Sequence, residues 1–127
     1  MPLVRISLRA GKSDEYRRAI ADGIHRAMVE KLAVPEQDRF QVITEHGADA
    51  LIYDPTYLGI QRSDDIVLVQ ITLSAGRKPT QKRDFMSRAA ALLGQNPGLR
   101  SQDLFINLLE VAWENWSFGE GKAQYTE

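Results

Sequence analysis

The sequence predicts an α+β domain in which two βαβ units share one four-stranded mixed sheet, with both helices on one face. Three observations predict this class. A strand, helix and strand pattern occurs twice, identical residues recur at an offset of 65, and each strand-to-strand connection is long enough for parallel pairing. Residues 6–12 (ISLRAGK) align with 71–77 (ITLSAGR), and 37–40 (QDRF) align with 102–105 (QDLF) at the same offset.

The chain has 127 residues, the length of one domain. Within that single domain we expect two halves, at about 2–46 and 65–110, and a C-terminal tail rich in aromatic residues and glycine. The connection 47–64 and the tail are interpreted as lying outside the repeat. A loop as long as this connection is often functional.

The first half begins with a strand, because Val4, Ile6 and Leu8 alternate with polar residues. Ser13 is the expected N-cap of the next helix, whose first turn is acidic. Apolar residues then recur at the spacing of one helix face: Tyr16, Ile20, Ile24, Ala27, Met28 and Leu32. We expect this helix to end at Val34-Pro35, because the residue before proline avoids the α region. A second strand is expected over about 39–45.

The second half repeats this order of elements. Residues 65–73 are apolar on both faces, which is typical of a central strand. A helix with an apolar face follows the turn at 76–79, Asn96-Pro97-Gly98 ends it, and the last strand is expected over 104–109. Each crossover is expected to be right-handed. The sheet face without helices is expected to be apolar, so we predict an oligomer that covers it.

Composition excludes several functional classes. The chain has 16 Lys and Arg against 17 Asp and Glu, and this balance argues against a nucleic-acid partner. No apolar run approaches the ~20 residues of a membrane span, and no leader pattern opens the chain, so we expect a cytoplasmic protein without a membrane partner. There is no cysteine for a disulfide, a thiolate nucleophile or a sulfur-ligated metal. Two histidines are too few for most zinc sites.

Pro2 is the first candidate for chemistry. Initiator methionine is generally removed before a residue this small, which would leave Pro2 as a terminal secondary amine. Its reference pKa would be close to the ~8 of an α-amino group, and burial beside cations would lower it toward the range of a general base. By itself, a proline in second position is common and is better explained by simple entry into a strand.

The residues around Pro2 resemble the tautomerase superfamily. Pro2-Leu3 leads directly into a strand, βαβ units are duplicated, and Ala75-Gly76-Arg77 follows the central strand. Five further stretches, in the same order and at compatible spacing, resemble the malonate semialdehyde decarboxylase branch: Val34-Pro35, Asp38-Arg39-Phe40-Gln41, Leu58-Gly59, Arg62-Ser63 and Trp116-Ser117-Phe118-Gly119. The resemblance covers nearly the whole chain and implies a tautomerase-like fold that assembles as a homotrimer.

The resemblance also implies roles for individual residues. Pro2 corresponds to the catalytic proline, which is cationic and polarises an aldehyde carbonyl in decarboxylases and acts as general base in tautomerases. Arg77 corresponds to the arginine that binds the substrate carboxylate, and Asp38 to an aspartate needed for decarboxylation. Three aromatic residues are implied for the pocket: Trp116, Phe118 and, within reach, Tyr125. The sequence departs from some described decarboxylases at Ala75, where they have a second arginine.

These roles imply cofactor-free decarboxylation of a small 3-oxo acid such as malonate semialdehyde. The alternatives are a keto–enol tautomerase acting on phenylpyruvate-like 2-oxo acids and a non-catalytic binding member of the fold. The chemistry of the residues agrees, because the arginine fork suits a carboxylate and an apolar wall disfavours one. Each residue also has a structural interpretation: Arg77 as a solvated turn residue, Asp38 as a cap, and Trp116 and Phe118 as packing.

Overall fold

A computed structural model describes residues 2–127; the predicted removal of Met1 concerns a residue outside this range. The strands and helices, in chain order, are β1 (Leu3–Arg9), α1 (Asp14–Lys31), β2 (Gln41–His46), β3 (Val67–Ser74), α2 (Pro79–Gln95) and β4 (Leu104–Val111). The strand order in the sheet is β2-β1-β3-β4. β1 and β3 pair antiparallel, and each outer strand pairs parallel with its inner neighbour. The predicted duplicated βαβ architecture with a four-stranded mixed sheet is confirmed.

Strand pairing follows the sequence repeat. In the antiparallel pair of β1 and β3, Arg5 lies opposite Gln70. Adding 65 to a residue number in β1 gives its counterpart in β3. On this basis the pair Leu3–Thr72 corresponds to the pair Leu68–Ser7, and the pair Val4–Ile71 corresponds to the pair Val69–Ile6. An approximate twofold axis therefore passes through the sheet between Arg5 and Gln70.

The core lies between the sheet and the two helices. Alternate residues of β1 and β3 point toward the helices and are buried, as the period of two predicts. Gly23 on α1 lets the helices approach closely, because a Cβ atom there would lie 2.6 Å from Leu93 Cδ2 on α2. The fully buried side chains include Val4, Ile6, Ile20, Ile24, Met28, Leu32, Val67, Ile71, Phe85 and Leu93.

The ends of α1 are partly as predicted. Ser13 is the N-cap, and its hydroxyl accepts a hydrogen bond from the Tyr16 N–H at 3.1 Å. The prediction that the helix continues to Val34-Pro35 is wrong, because α1 ends at Lys31 and Ala33 has φ of 56°. Leu32 is the C-cap, is buried in the core, and donates the last helical hydrogen bond to the Met28 carbonyl at 2.9 Å. After the reversal at Ala33, the Val34 N–H donates to the same carbonyl at 3.4 Å. The helix therefore ends before the residue that precedes the proline, at a reversal next to a buried leucine.

The open face of the sheet is less apolar than predicted. Arg5 and Gln70 lie at its centre, and Gln70 Nε2 donates to Asn107 Oδ1 at 3.2 Å. Apolar side chains flank this polar centre: Leu3, Val42, Leu68, Phe105 and Leu109. Among residues 2–127, no helix combines the length and the apolar character needed to cross a bilayer.

Candidate active site

The topology brings several chain segments to one edge of the sheet. β1 and β2 begin at this edge, whereas β3 and β4 run the opposite way and end there. Pro2 immediately precedes β1, and Arg77 follows β3. The loop with Asp38 leads into β2, and the aromatic tail follows β4. Residues far apart in the sequence therefore meet around the start of β1.

Pro2 is buried and lines a pocket of about 230 Å³ at this edge. Phe40 lines the pocket beside Pro2. The Val4 N–H donates to the Phe40 carbonyl at 3.0 Å, and this hydrogen bond holds the residue that precedes β2 next to the start of β1. The remaining lining residues are Leu3, Trp116, Ser117 and Phe118. The structure thus brings together three of the predicted site residues, Pro2, Trp116 and Phe118.

The aromatic side chains form one connected cluster with Phe118 in its middle. The rings of Trp116 and Phe118 are stacked, with centroids 5.5 Å apart and planes 4° from parallel. Phe118 also contacts Phe40 at 6.0 Å and the edge of Tyr125 at 5.1 Å. The Nε1 atom of Trp116 is buried without an acceptor in the described part of the chain. That N–H is a candidate donor to a ligand oxygen.

Arg77 is held by two backbone carbonyls. Its Nε donates to the Leu32 carbonyl at 2.8 Å and its Nη1 donates to the Ser74 carbonyl at 3.2 Å. The Leu32 carbonyl belongs to the C-terminal end of α1, where the helix dipole favours a cation. No carboxylate within residues 2–127 forms an ion pair with Arg77. Arg77 is therefore an anchored, partly buried cation, and its interpretation as a solvated turn residue is wrong.

Tyr125 belongs to the aromatic cluster through Phe118, and the charges of Asp38 and Arg77 both act on its phenol. Burial raises the pKa of the Tyr125 phenol, the negative charge of Asp38 raises it further, and the positive charge of Arg77 lowers it. Both charges therefore lie within electrostatic range of this hydroxyl. The Oδ2 atom of Asp38 is buried, and the Asp38 N–H donates to the Pro35 carbonyl at 3.0 Å.

Sequence reasoning assigned no role to Phe40, although it lines the same pocket as Pro2. One signal pointed to it: Phe40 is an identity in the repeat, matching Phe105. Its exposed fraction of 49% is high for a phenylalanine just ahead of a strand.

A larger groove of about 570 Å³ lies along α1 and the end of α2. Its charged groups are ion-paired: Arg39 pairs with Asp22 at 2.6 Å and Arg26 pairs with Glu36 at 3.3 Å. Arg18 shares the Asp22 carboxylate with Arg39, so the groove keeps a net positive charge, but it contains none of the site residues predicted from the sequence. The described residues also contain no cluster of three or more His, Asp or Glu side chains arranged to hold a metal.

Comparison with known proteins gives a consistent picture. Two family profiles, each described as a tautomerase enzyme, match residues 38–119 and residues 2–61. The probable tautomerase YusQ of Bacillus subtilis (strain 168) is 38% identical over 127 residues, which is 100% of both chains.

Two solved structures share the fold over most of their length. One is FG41 malonate semialdehyde decarboxylase inhibited by 3-bromopropiolate, which is 41% identical with a TM-score of 0.91 over 97% of this chain and 93% of that chain. The other is a malonate semialdehyde decarboxylase described with decarboxylase and hydratase activities. It is 30% identical, with a TM-score of 0.92 over 97% and 95% of the two chains.

Proposed function

Because the chain belongs to the tautomerase superfamily of enzymes, we propose that it decarboxylates a small 3-oxo acid such as malonate semialdehyde, without a cofactor. The observation that supports this most directly is the buried Pro2, which lines a small aromatic pocket. Arg77 follows β3 at the same edge of the sheet but does not line that pocket. The proposal includes removal of Met1. Only a free terminal amine gives Pro2 a proton to donate.

In the proposed reaction, Arg77 binds the substrate carboxylate. Two of its nitrogens are fixed by backbone carbonyls, so the orientation of the guanidinium is set before substrate arrives. Its Nη2 makes neither of those bonds and is the group we assign to the carboxylate. A held donor of this kind loses little entropy on binding.

Pro2, as a cation, donates a hydrogen bond to the aldehyde oxygen. The bond between the carboxylate carbon and C2 then breaks, and its electron pair forms the C2–C3 double bond while negative charge moves onto the aldehyde oxygen. Carbon dioxide leaves, and C2 takes up one proton to give acetaldehyde. The proton comes from Pro2, which regains it from solvent.

The remaining site residues favour this step through charge and polarity. Asp38 is assigned the role of stabilising the Pro2 cation, since a nearby carboxylate favours a charged amine. Trp116 and Phe118 present apolar ring surface, which suits neutral carbon dioxide better than a carboxylate. We further propose that the Tyr125 phenol, whose pKa is affected by the charges of both Asp38 and Arg77, remains protonated and donates a hydrogen bond.

A homotrimer is part of the proposal. The open sheet face carries Leu3, Val42, Leu68, Phe105 and Leu109 around a polar centre, and a contiguous face of this kind is typical of a subunit contact. In such an assembly the three sheets would face inward.

The second candidate is a keto–enol tautomerase for phenylpyruvate-like 2-oxo acids. The stacked pair of Trp116 and Phe118 favours it, because an aromatic wall can bind the phenyl ring of such a substrate. In that reaction Pro2 would act as a general base and would have to be neutral.

The two candidates are separated by measuring kcat/KM for malonate semialdehyde and for phenylpyruvate enol, with the amino terminus verified by mass spectrometry. We expect malonate semialdehyde to be the better substrate. Pro2→Ala and Asp38→Asn should each lower its turnover by about 10²-fold or more, the usual contribution of a positioned acid or base. Arg83→Ala, an exposed change on α2, is the control and should leave turnover unchanged. A higher kcat/KM for phenylpyruvate enol, together with full activity of Asp38→Asn, would replace the decarboxylase assignment with the tautomerase.

A further inference from the structure

Asp38 lies in the loop of residues 32–40 that connects α1 with β2, which we call the Asp38 loop. This loop contains a turn in which the Asp38 N–H donates to the Pro35 carbonyl at 3.0 Å. Glu36 is the second residue of that turn, and Asp38 is the fourth. The place of the Asp38 carboxylate therefore depends on how the peptide unit after Glu36 is held.

His25 on α1 holds this peptide unit. Its Nε2 lies 2.8 Å from the Glu36 carbonyl oxygen, and because a carbonyl oxygen can only accept, Nε2 carries the proton. The His25 residue is 6% exposed, so this hydrogen bond is shielded from water. It joins the buried side of α1 directly to the turn that contains Asp38.

The other ring nitrogen of His25 shows that packing alone does not account for this residue. Nδ1 is buried and has no partner within residues 2–127. A buried polar ring with one unpartnered nitrogen costs free energy that an apolar side chain would not cost. The other buried residues of α1 are all apolar. The hydrogen bond to the Asp38 loop is the interaction that distinguishes a histidine at this position from an apolar residue.

The loop is also held on the other side of Asp38. The Arg39 guanidinium donates to Asp22 Oδ1 at 2.6 Å and to Gln41 Oε1 at 2.8 Å. Gln41 Nε2 in turn donates to the Ala21 carbonyl at 2.8 Å. Contacts with α1 therefore flank Asp38 on both sides and restrict its position.

A second side chain of α1 reaches Glu36. Arg26 pairs with the Glu36 carboxylate at 3.3 Å, and the two side chains are 50% and 67% exposed. An exposed ion pair of this kind contributes little to stability. Arg26 is thus a matched control for His25, because it is the next residue in the chain and contacts Glu36 through the side chain instead of the backbone.

From these contacts we propose that His25 is a positioning residue for the Asp38 carboxylate. Its N–H holds the Glu36 carbonyl, and the turn then directs Asp38 toward Pro2. His25 contacts no substrate and exchanges no proton in the reaction. The effect on turnover rests on the proposed decarboxylase activity, whereas the position of Asp38 can be measured without turnover. No access to the open sheet face is required, since α1 packs on the other face.

The first test is His25→Phe, which keeps a flat ring and removes the N–H. At a temperature where thermal unfolding shows the variant to be folded, kcat for malonate semialdehyde should fall by about 10- to 100-fold, because a misplacement of about 1 Å can have an effect of this size. KM should change little, since Arg77 is the residue assigned to the carboxylate. In an Asp38→Asn background the same substitution should lower kcat little further, because the two residues act as one unit.

The Tyr125 phenol reports on Asp38 independently of turnover. The negative charge of Asp38 raises the pKa of Tyr125, so displacement of that charge in His25→Phe should lower this pKa, as Asp38→Asn should. The measurement is ¹³C NMR of the tyrosine ring. A histidine that only supported the fold would leave the pKa of Tyr125 unchanged in a folded variant.

Two further variants provide a rescue and a control. His25→Gln places an amide N–H as many bonds from Cβ as Nε2 is, and it should keep most of kcat and the wild-type pKa of Tyr125. Arg26→Ala should leave both quantities unchanged. If His25→Phe does not fold, His25→Asn takes its place, because its amide is one bond shorter and does not reach the Glu36 carbonyl.

An unchanged kcat and an unchanged pKa of Tyr125 in folded His25→Phe would overturn the proposal. So would a loss of kcat that is equally large in the Asp38→Asn background and leaves the pKa of Tyr125 unchanged, because His25 would then act on the fold alone. A lowered pKa of Tyr125 in His25→Phe, together with full turnover in Asp38→Asn, would support the positioning of Asp38 and refute the role of Asp38 in decarboxylation.

Discussion

Replacement of Arg77 by alanine should affect both catalysis and stability, and the structure gives a magnitude for each. A charge-assisted hydrogen bond contributes about 1.5–3 kcal/mol, so losing the bond to the substrate carboxylate should lower kcat/KM by about 10- to 150-fold. The loss should be mainly in KM, because the interaction is made in the ground state as well as the transition state.

The stability effect of Arg77→Ala follows from its two backbone partners. Leu32 and Ser74 are 1% and 0% exposed, so their carbonyls lose a donor in a region with little access to water. Leaving such groups unsatisfied should cost about 1–2 kcal/mol and lower Tm by roughly 3–10 °C. The sequence alone predicts no such cost, because a solvated turn arginine contributes little to stability.

The assay combines steady-state kinetics with thermal unfolding of the same preparations, at a temperature where all variants are folded. Arg77→Lys keeps the charge without the fork and should recover only part of both losses. Arg83→Ala controls for removal of an exposed arginine. Unchanged kcat/KM in a folded Arg77→Ala protein would refute the carboxylate role. An unchanged Tm would refute the contribution of its hydrogen bonds to the Leu32 and Ser74 carbonyls to stability.

Three further predictions concern the amino terminus, the phenol and the assembly. A preparation that retains Met1, as shown by mass spectrometry, should be inactive because the Pro2 nitrogen is then a tertiary amide; full activity in that form would exclude the proline mechanism. In ¹³C NMR the pKa of Tyr125 should lie above its ordinary value of 10.0, should fall in Asp38→Asn and should rise in Arg77→Ala. An unchanged pKa of Tyr125 in both variants would place the two charges away from the phenol. Light scattering should give about three times the 14.3 kDa of one chain, and Leu109→Arg on the open face should reduce it; a wild-type monomer at micromolar concentration would contradict the trimer.

The sequence was most informative where a structural rule acts over a few residues. The alternation of Val4, Ile6 and Leu8 predicts a strand with one buried face, and Ser13 ahead of an acidic turn predicts the helix start. These signals are local, because side-chain period and N-capping depend only on neighbours in the chain. The repeat then predicts the second half from the first, and the two together predict the fold class.

The end of α1 shows where a local rule fails. Proline biases the residue before it, yet the helix ends three residues earlier, at a reversal through Ala33 that follows the buried Leu32. The open face is a second case. Its centre is polar because the register of β1 and β3 places Arg5 opposite Gln70 at the twofold axis. Register is decided by how two strands pair, so neither strand predicts it alone.

The candidate site depended on tertiary structure most of all. Sequence resemblance named Pro2, Asp38, Arg77, Trp116, Phe118 and Tyr125, but only the antiparallel pairing of β1 with β3 places the end of β3 beside the start of β1. The repeat marks Phe40 through its identity with Phe105 but does not say that it lines a pocket, and the Leu32 carbonyl as the anchor of Arg77 has no signature in residue spacing. Periodicity records which face of its own element a residue occupies. Which distant element that face meets is decided by how the two halves pack, and the pocket forms from those long-range contacts.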